Sequence, residues 1–162
     1  MKKVLLCILL ILVCVLNIFG HETLKNTIYF GIGFFGSVQQ YFEFFPGLNL
    51  EFERSINEMF SVSMIFGTDI IIVPYVEIMG RWHPWSGAFF AGLGLGIWAL
   101  FPLVIEPIHT FLPMITPNIG WKFNEGDQNR WVVKMSIGNR IILPYGNEFL
   151  FTQINIGIGY KF

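Results

Sequence analysis

The sequence contains little charge. Only 13% of its 162 residues are Asp, Glu, Lys or Arg, whereas a soluble domain carries about 25%. The formal net charge is -1, with no cluster of Lys and Arg, which argues against nucleic-acid binding because that function needs a basic surface for the phosphates. With 54% hydrophobic residues and a mean hydropathy of +0.59, the chain is too apolar for a soluble or disordered protein. The composition therefore indicates a membrane protein.

Cysteine is scarce, and both cysteines lie within the first 14 residues. Two lysines near the N terminus precede an apolar run, Val4–Leu16. This run fits a signal peptide and is shorter than the roughly 20 residues of a spanning helix. We predict a cleaved signal peptide at 1–20 and a mature domain at 21–162. The alternatives are a lipoprotein signal, with Cys14 lipidated, and an uncleaved anchor.

A mature chain that begins at residue 21 has no cysteine. Structural disulfides, thiol catalysis and cysteine-ligated metal sites are therefore excluded. We expect no cofactor.

The long apolar stretches do not have the period of a helix. Ala88–Ile105 contains no charged residue, yet glycine recurs there at every second position, as Gly92, Gly94 and Gly96. Each glycine would cost a helix about 1 kcal/mol relative to alanine. In a strand the same spacing places small side chains on one face and large apolar ones on the other. The pattern therefore predicts strands.

Strands in contact with lipid must close into a barrel, because unpaired edges do not survive in hydrocarbon. The sequence predicts an all-β, transmembrane, antiparallel up-and-down barrel of eight strands. An even number of strands places both chain ends on the periplasmic side. The predicted strands are Thr27–Ser37, Gly47–Ile56, Met59–Thr68, Ile71–His83, Ala88–Leu100, Thr110–Phe123, Arg130–Ile142 and Leu150–Phe162.

The last predicted strand alternates apolar residues up to a C-terminal phenylalanine. These residues are Ile154, Ile156, Ile158, Tyr160 and Phe162. The pattern resembles the β-signal that the barrel assembly machinery reads in outer-membrane proteins. The whole mature chain resembles small eight-stranded barrels of the OmpW and OmpX kind, and Val76–Trp98 resembles hairpins of small spirochaete outer-membrane proteins. The resemblance implies a bacterial outer-membrane location, with lipid and the assembly machinery as partners.

Most charged residues of the mature chain occupy positions predicted to point into the barrel. Because a charge in the interior needs an opposite charge nearby, we predict an interior ion network. Its members are Glu51, Glu53, Glu77, Arg81, Lys134 and Arg140. His83 and Lys122 are predicted to point inward as well. One interpretation is a polar plug, since eight strands leave a bore that side chains can fill; the other is a narrow charged conduit.

The segments predicted as extracellular loops, among them Val38–Pro46 and Phe101–Ile108, are unusually apolar. They are interpreted as a small core above the membrane, as a rim in contact with lipid, or as a pocket for a hydrophobic small molecule. The resemblance to OmpW favours the pocket, because that family is associated with hydrophobic ligands. The candidate lining residues are Tyr41, Phe42, Phe44, Phe45, Trp98, Phe101, Phe111 and Tyr145.

The sequence gives little support for catalysis. Some eight-stranded barrels hydrolyse or transfer lipid acyl chains, which requires a serine, a histidine and an acid. His109 lies near Glu106, but no serine is adjacent to them. We therefore predict a non-enzymatic barrel that binds or passes hydrophobic molecules. The alternatives are a structural or adhesive barrel with a partner at its loops and, third, a lipid acyl hydrolase or transferase.

Overall fold

The computed structural model describes residues 26–37, 43–69, 73–84, 88–100, 110–123, 129–143 and 150–162. The predicted signal peptide at 1–20 lies outside these residues. Within these ranges, no helix is long and apolar enough to cross a membrane. The strands are β1 (Asn26–Ser37), β2 (Glu43–Ser55), β3 (Phe60–Asp69), β4 (Val73–Trp82), β5 (Phe89–Leu100), β6 (Thr110–Phe123), β7 (Trp131–Ile142) and β8 (Leu150–Lys161).

The eight strands form one closed antiparallel barrel. Each strand pairs with the next, and β8 pairs with β1 from Thr27 opposite Lys161 to Ser37 opposite Phe151. Asn26 and Phe162 exchange two backbone hydrogen bonds, of 3.2 and 2.9 Å, at the closing seam. The fold predicted from the period-two pattern is confirmed. Closure leaves no unpaired edge, as a lipid environment requires.

Side chains alternate between the lipid-facing surface and the interior. On β1, Phe30 is 61% exposed, whereas its neighbours Tyr29 and Gly31 are buried. On β2, Leu50 is exposed, whereas Glu51 is buried. Large apolar side chains thus cover the outside, where a soluble protein would carry polar groups. This exterior belongs in a membrane.

The periplasmic end of the barrel carries an aromatic girdle. Chain ends and short turns lie at this end in bacterial barrels. Three ring pairs mark it: Phe52 with Phe162 at 6.2 Å, Phe89 with Trp121 at 5.0 Å, and Trp131 with Tyr160 at 5.2 Å. Aromatic side chains concentrate where hydrocarbon meets headgroups. The girdle therefore fixes the depth of this end in the bilayer.

Strand boundaries differ from the sequence prediction by one residue at the periplasmic end and by one to four residues at the extracellular end. β2 begins at Glu43, so four residues of the predicted loop Val38–Pro46 belong to a strand and pair with β1. Aromatic residues favour extended backbone, and pairing with β1 extends β2 beyond Pro46 to Glu43. β3 includes Asp69, one residue beyond its predicted end, and β4 begins at Val73, two residues after its predicted start.

Candidate functional site: the barrel interior

The periplasmic half of the interior is polar. Buried charged and hydroxyl side chains project into it from β2, β3, β4, β6 and β7, and from the turn after β4. We call this group the polar half. It consists of Glu51, Glu53, Ser61, Ser63, Arg81, His83, Lys122 and Lys134.

Two carboxylates and three cations make most of its contacts. Arg81 donates from Nη1 to both glutamates, to Glu51 Oε1 and, at 3.1 Å, to Glu53 Oε2. Lys134 donates to the second oxygen of Glu51, and Lys122 donates to Glu53 Oε1 at 2.7 Å. Glu53 is only 2% exposed. Charges at this depth are stable only when paired and hydrogen-bonded, so the five groups hold one another in place.

Aromatic rings and glycines complete the polar half. Lys134 Nζ lies 4.0 Å from the centroid of Tyr29, and the Arg81 guanidinium lies 5.0 Å from that of Phe90. Such cation–π contacts stabilise a buried charge further. The ring of Phe90 fills the space where a Cβ at Gly120 would lie. Inward glycine therefore makes room for a neighbouring ring here and opens no channel.

The extracellular half of the interior is mainly apolar. Eight buried side chains form one cluster, and Val73 and Phe151 pack against it. Phe35 meets Tyr75 edge to face with centroids 6.4 Å apart, and Trp98 meets Phe151 at 5.7 Å. We call this cluster the apolar half. It consists of Phe35, Ile65, Tyr75, Met79, Trp98, Leu112, Met114 and Ile142.

One ion pair is embedded beside the apolar half. Arg140 of β7 donates to Asp69 of β3. The guanidinium lies 4.0 Å from the ring centroid of Tyr75 and 4.8 Å from that of Phe35. Arg140 thus combines a carboxylate partner with two aromatic faces.

Glu77 lies at the boundary between the two halves. Its carboxylate is buried, and neither oxygen has a hydrogen-bond partner among the described residues. The side chain occupies the space above Gly94, where a Cβ would overlap Oε1. The described interior contains four buried carboxyl groups, Glu51, Glu53, Asp69 and Glu77, and four buried Lys and Arg side chains, Arg81, Lys122, Lys134 and Arg140.

The predicted ion network is split between these regions. Glu51, Glu53, Arg81 and Lys134 meet in the polar half. Arg140 contacts Asp69 rather than a glutamate, because β7 brings it to the extracellular end. The predicted network does not include Asp69, because the predicted third strand ends one residue before it. Nor does it include Lys122, although this side chain is predicted to point inward and donates to Glu53.

The predicted hydrophobic mouth is only partly described. Trp98 is 7% exposed and belongs to the apolar half, whereas Phe111 is 64% exposed and points outward from β6. Phe45 is exposed on the extracellular extension of β2. The other five predicted residues lie outside the described residues or, for Phe44, have an undescribed side chain. They are Tyr41, Phe42, Phe44, Phe101 and Tyr145.

A serine–histidine contact is present that the sequence prediction missed. Ser61 Oγ lies 3.0 Å from His83 Nε2, and Glu53 Oε1 lies 4.0 Å from the same nitrogen. A catalytic triad needs the acid at the other ring nitrogen, where it orients the histidine. All three side chains also point into the barrel and are buried, away from any lipid substrate. His109 and Glu106 lie outside the described residues.

The residues of the predicted assembly signal lie on the lipid-facing surface of β8 and just after it. Ile156 and Ile158 are exposed, and Tyr160 and Phe162 contact aromatic residues of the girdle. The Tyr160 hydroxyl also accepts a hydrogen bond of 3.1 Å from Arg130 Nη1. This strand closes the barrel against β1. Recognition of Ile154, Ile156, Ile158, Tyr160 and Phe162 by the assembly machinery stays a prediction.

The closed eight-stranded barrel, its apolar exterior and its aromatic girdle define a class: this chain is a small outer-membrane β-barrel protein, located in a bacterial outer membrane.

Two solved structures share the fold. Ail, the attachment invasion locus protein of Yersinia pestis, was solved in complex with the heparin analogue sucrose octasulfate. It is 14% identical, covers 87% of this chain and 100% of its own, and has a TM-score of 0.55. Neisserial surface protein A is 8% identical, covers 86% of this chain and 97% of its own, and has a TM-score of 0.52.

At these identities the likeness concerns the fold alone. No protein-family model and no curated protein sequence matches this chain.

Proposed function

We propose that this protein is a non-enzymatic, non-conducting outer-membrane barrel that binds small hydrophobic molecules at its extracellular mouth. The observation that carries the proposal is the division of the interior. Ion pairs fill the periplasmic half, and aromatic and aliphatic side chains line the extracellular half. A solute that enters from outside meets an apolar surface first and a charged plug below it. This arrangement favours binding over passage.

The chemistry of the apolar half supports a hydrophobic ligand. Binding sites for small molecules are mostly apolar, with a few polar groups that fix the orientation of the ligand. Here the polar groups are Arg140 and Asp69, and the aromatic surfaces are those of Phe35, Tyr75 and Trp98. Phe45 adds an exposed ring at the extracellular end of β2.

Quenching of a single tryptophan tests the proposal. The chain has five tryptophans, and four Trp→Phe changes leave Trp98 alone in the refolded barrel. A dibrominated fatty acid should quench the fluorescence of Trp98 saturably. In a control whose single tryptophan is Trp121, which faces lipid, quenching at the same concentrations should rise only in proportion to the probe dissolved in the bilayer. Quenching of Trp98 that is weaker than that of Trp121 and does not saturate would contradict a hydrophobic site.

A structural or adhesive barrel is the second candidate. It is favoured by the packing of the apolar half, whose side chains bury one another, and by the exposed Phe45 at the extracellular end. In this case Phe45→Ser should reduce the attachment of expressing cells to a hydrophobic surface, whereas Phe45→Leu should preserve it. Equal attachment of both variants would rule out a role for this ring.

A further inference from the structure

The lipid-facing surface of the barrel has a groove near its periplasmic end. The groove has a volume of about 550 Å³, which lies within the range of about 300–1,000 Å³ that is usual for small-molecule sites. It lies outside the bore, on the opposite side of the wall from the polar half. Its outward-facing lining residues are Ile56, Phe60, Val62, Gly80, Trp82, Ala91 and Leu93.

Two small residues create the groove. Gly80 is the one exposed glycine of the described strands, and no atom beyond Gly80 and its two chain neighbours lies within 4 Å of the position that its Cβ would take. In the register it stands between Val62 and Leu93. Ala91 lies opposite Trp82 on the neighbouring strand. Large side chains thus form the walls, and the floor consists of backbone and one methyl group.

The groove begins at the headgroup region and runs towards the middle of the bilayer. Phe60 and Trp82 pair across β3 and β4 at the level of the girdle. Asn57 of the β2–β3 turn lines the periplasmic end, where its side-chain oxygen accepts hydrogen bonds of 2.8 Å from the backbone of Met59 and of Phe60. The polar end of the groove therefore lies at the interface and its apolar part in hydrocarbon.

A positive charge lies beside this polar end. A smaller depression, of about 70 Å³, adjoins the groove through the shared residues Ile56 and Val62 and is lined by Arg54. Among the outward side chains that the structure describes in the eight strands, Arg54 alone is charged. A guanidinium matches a phosphate in geometry and charge, and a cation at the membrane surface attracts anionic lipid.

We propose that the groove binds an anionic phospholipid of the periplasmic leaflet, with the lipid phosphate at Arg54 and one acyl chain along Gly80. The outer face of a barrel is convex and covered by large side chains, so a second copy of this chain would bridge the groove without filling it. A flexible acyl chain fits between Trp82 and Leu93 and reaches the floor. The occupant is thus held by shape in its apolar part and by charge at its headgroup.

Native mass spectrometry of the intact barrel tests this proposal. The protein is refolded in vesicles of equal parts phosphatidylglycerol and phosphatidylcholine, extracted in mild detergent and weighed with its retained lipid. The wild type should retain one phospholipid and prefer phosphatidylglycerol. Gly80→Leu fills the groove and should reduce retention, whereas Ala99→Leu, the same kind of change at an outward position near the extracellular end, should not.

Arg54→Gln separates the charge from the shape. It should retain a lipid but lose the preference for phosphatidylglycerol by about fivefold, the effect expected of one basic residue at a membrane surface. A heat-dependent gel shift confirms that each variant is folded, and Ala91→Leu replaces Gly80→Leu if the latter does not fold. The proposal would be overturned if Gly80→Leu and Ala99→Leu retained the same amount of lipid. It would also be overturned if the wild type had the mass of a dimer and Gly80→Leu did not.

Discussion

The two halves of the barrel interior are stabilised in different ways. In the polar half, three cations surround two carboxylates, and most of the contacts run through Arg81, Glu51 and Glu53. In the apolar half, many modest contacts among large side chains surround one ion pair. The polar half is therefore sensitive to the loss of a single charge, whereas the apolar half is sensitive to lost volume. The interior of one closed barrel can therefore be filled by two different kinds of packing, one in the polar half and one in the apolar half.

The largest loss of stability is expected from Arg81→Met. The change leaves Glu51 and Glu53 buried without their shared partner, and the free energy of unfolding should fall by about 3–5 kcal/mol. Urea unfolding in lipid vesicles measures it. Arg81→Lys keeps the charge and should lose less than half as much. Similar losses for both variants would show that the charge is not what stabilises this half.

The matching change in the apolar half is Leu112→Ala. The side chain is buried in the cluster, so its removal leaves a cavity and should cost about 3 kcal/mol. Leu95→Ala on the lipid-facing surface serves as control and should cost under about 1 kcal/mol, because lipid replaces the lost contacts. If both changes cost the same in the urea titration, the apolar half is not packed as described.

Gly94→Ala tests the boundary between the halves. The added methyl group would displace the Glu77 carboxylate, and overpacking of this kind costs about 1–3 kcal/mol. Gly157→Ala is the matched control, because the nearest atom to its Cβ would lie at 3.4 Å, and its effect should stay within about 0.5 kcal/mol. Equal effects of the two alanines on the urea midpoint would contradict the placement of Glu77.

The smallest effect on stability is expected from a side-chain hydrogen bond between β2 and β8, the two strands that flank β1. Asn49 Nδ2 donates to Asn155 Oδ1 at 3.3 Å, and the two side-chain oxygens occupy the spaces above Gly31 and Gly33. A double-mutant cycle with alanine at both positions should give a coupling energy of about 1 kcal/mol. Additive losses would mean that the two amides do not interact.

The sequence predicted the strands well because alternation is a local property. Each residue's face follows from its position along its own strand, so Glu51, Arg81 and Lys134 could be assigned to the interior without knowing their partners. The contacts could not be predicted in the same way. Glu51 meets Lys134 across the bore, and that meeting depends on the registers of every strand between them.

The remaining errors have the same cause. Asp69 lies on the inward face of β3, but it was missed because strand ends are set by pairing rather than by composition. The contact between Ser61 and His83 joins β3 to the turn after β4, and nothing in the local sequence of either segment indicates it. Gly80 was also overlooked, because its role is visible only once the outward side chains around it are placed.

Conductance of the refolded wild-type barrel in a planar bilayer tests the central claim most directly. Barrels verified by their heat-dependent gel shift should produce no discrete current steps in either direction, because the ion pairs of the polar half close the bore. Regular, reproducible channel openings from the folded wild-type protein would contradict a sealed interior and favour a charged conduit instead.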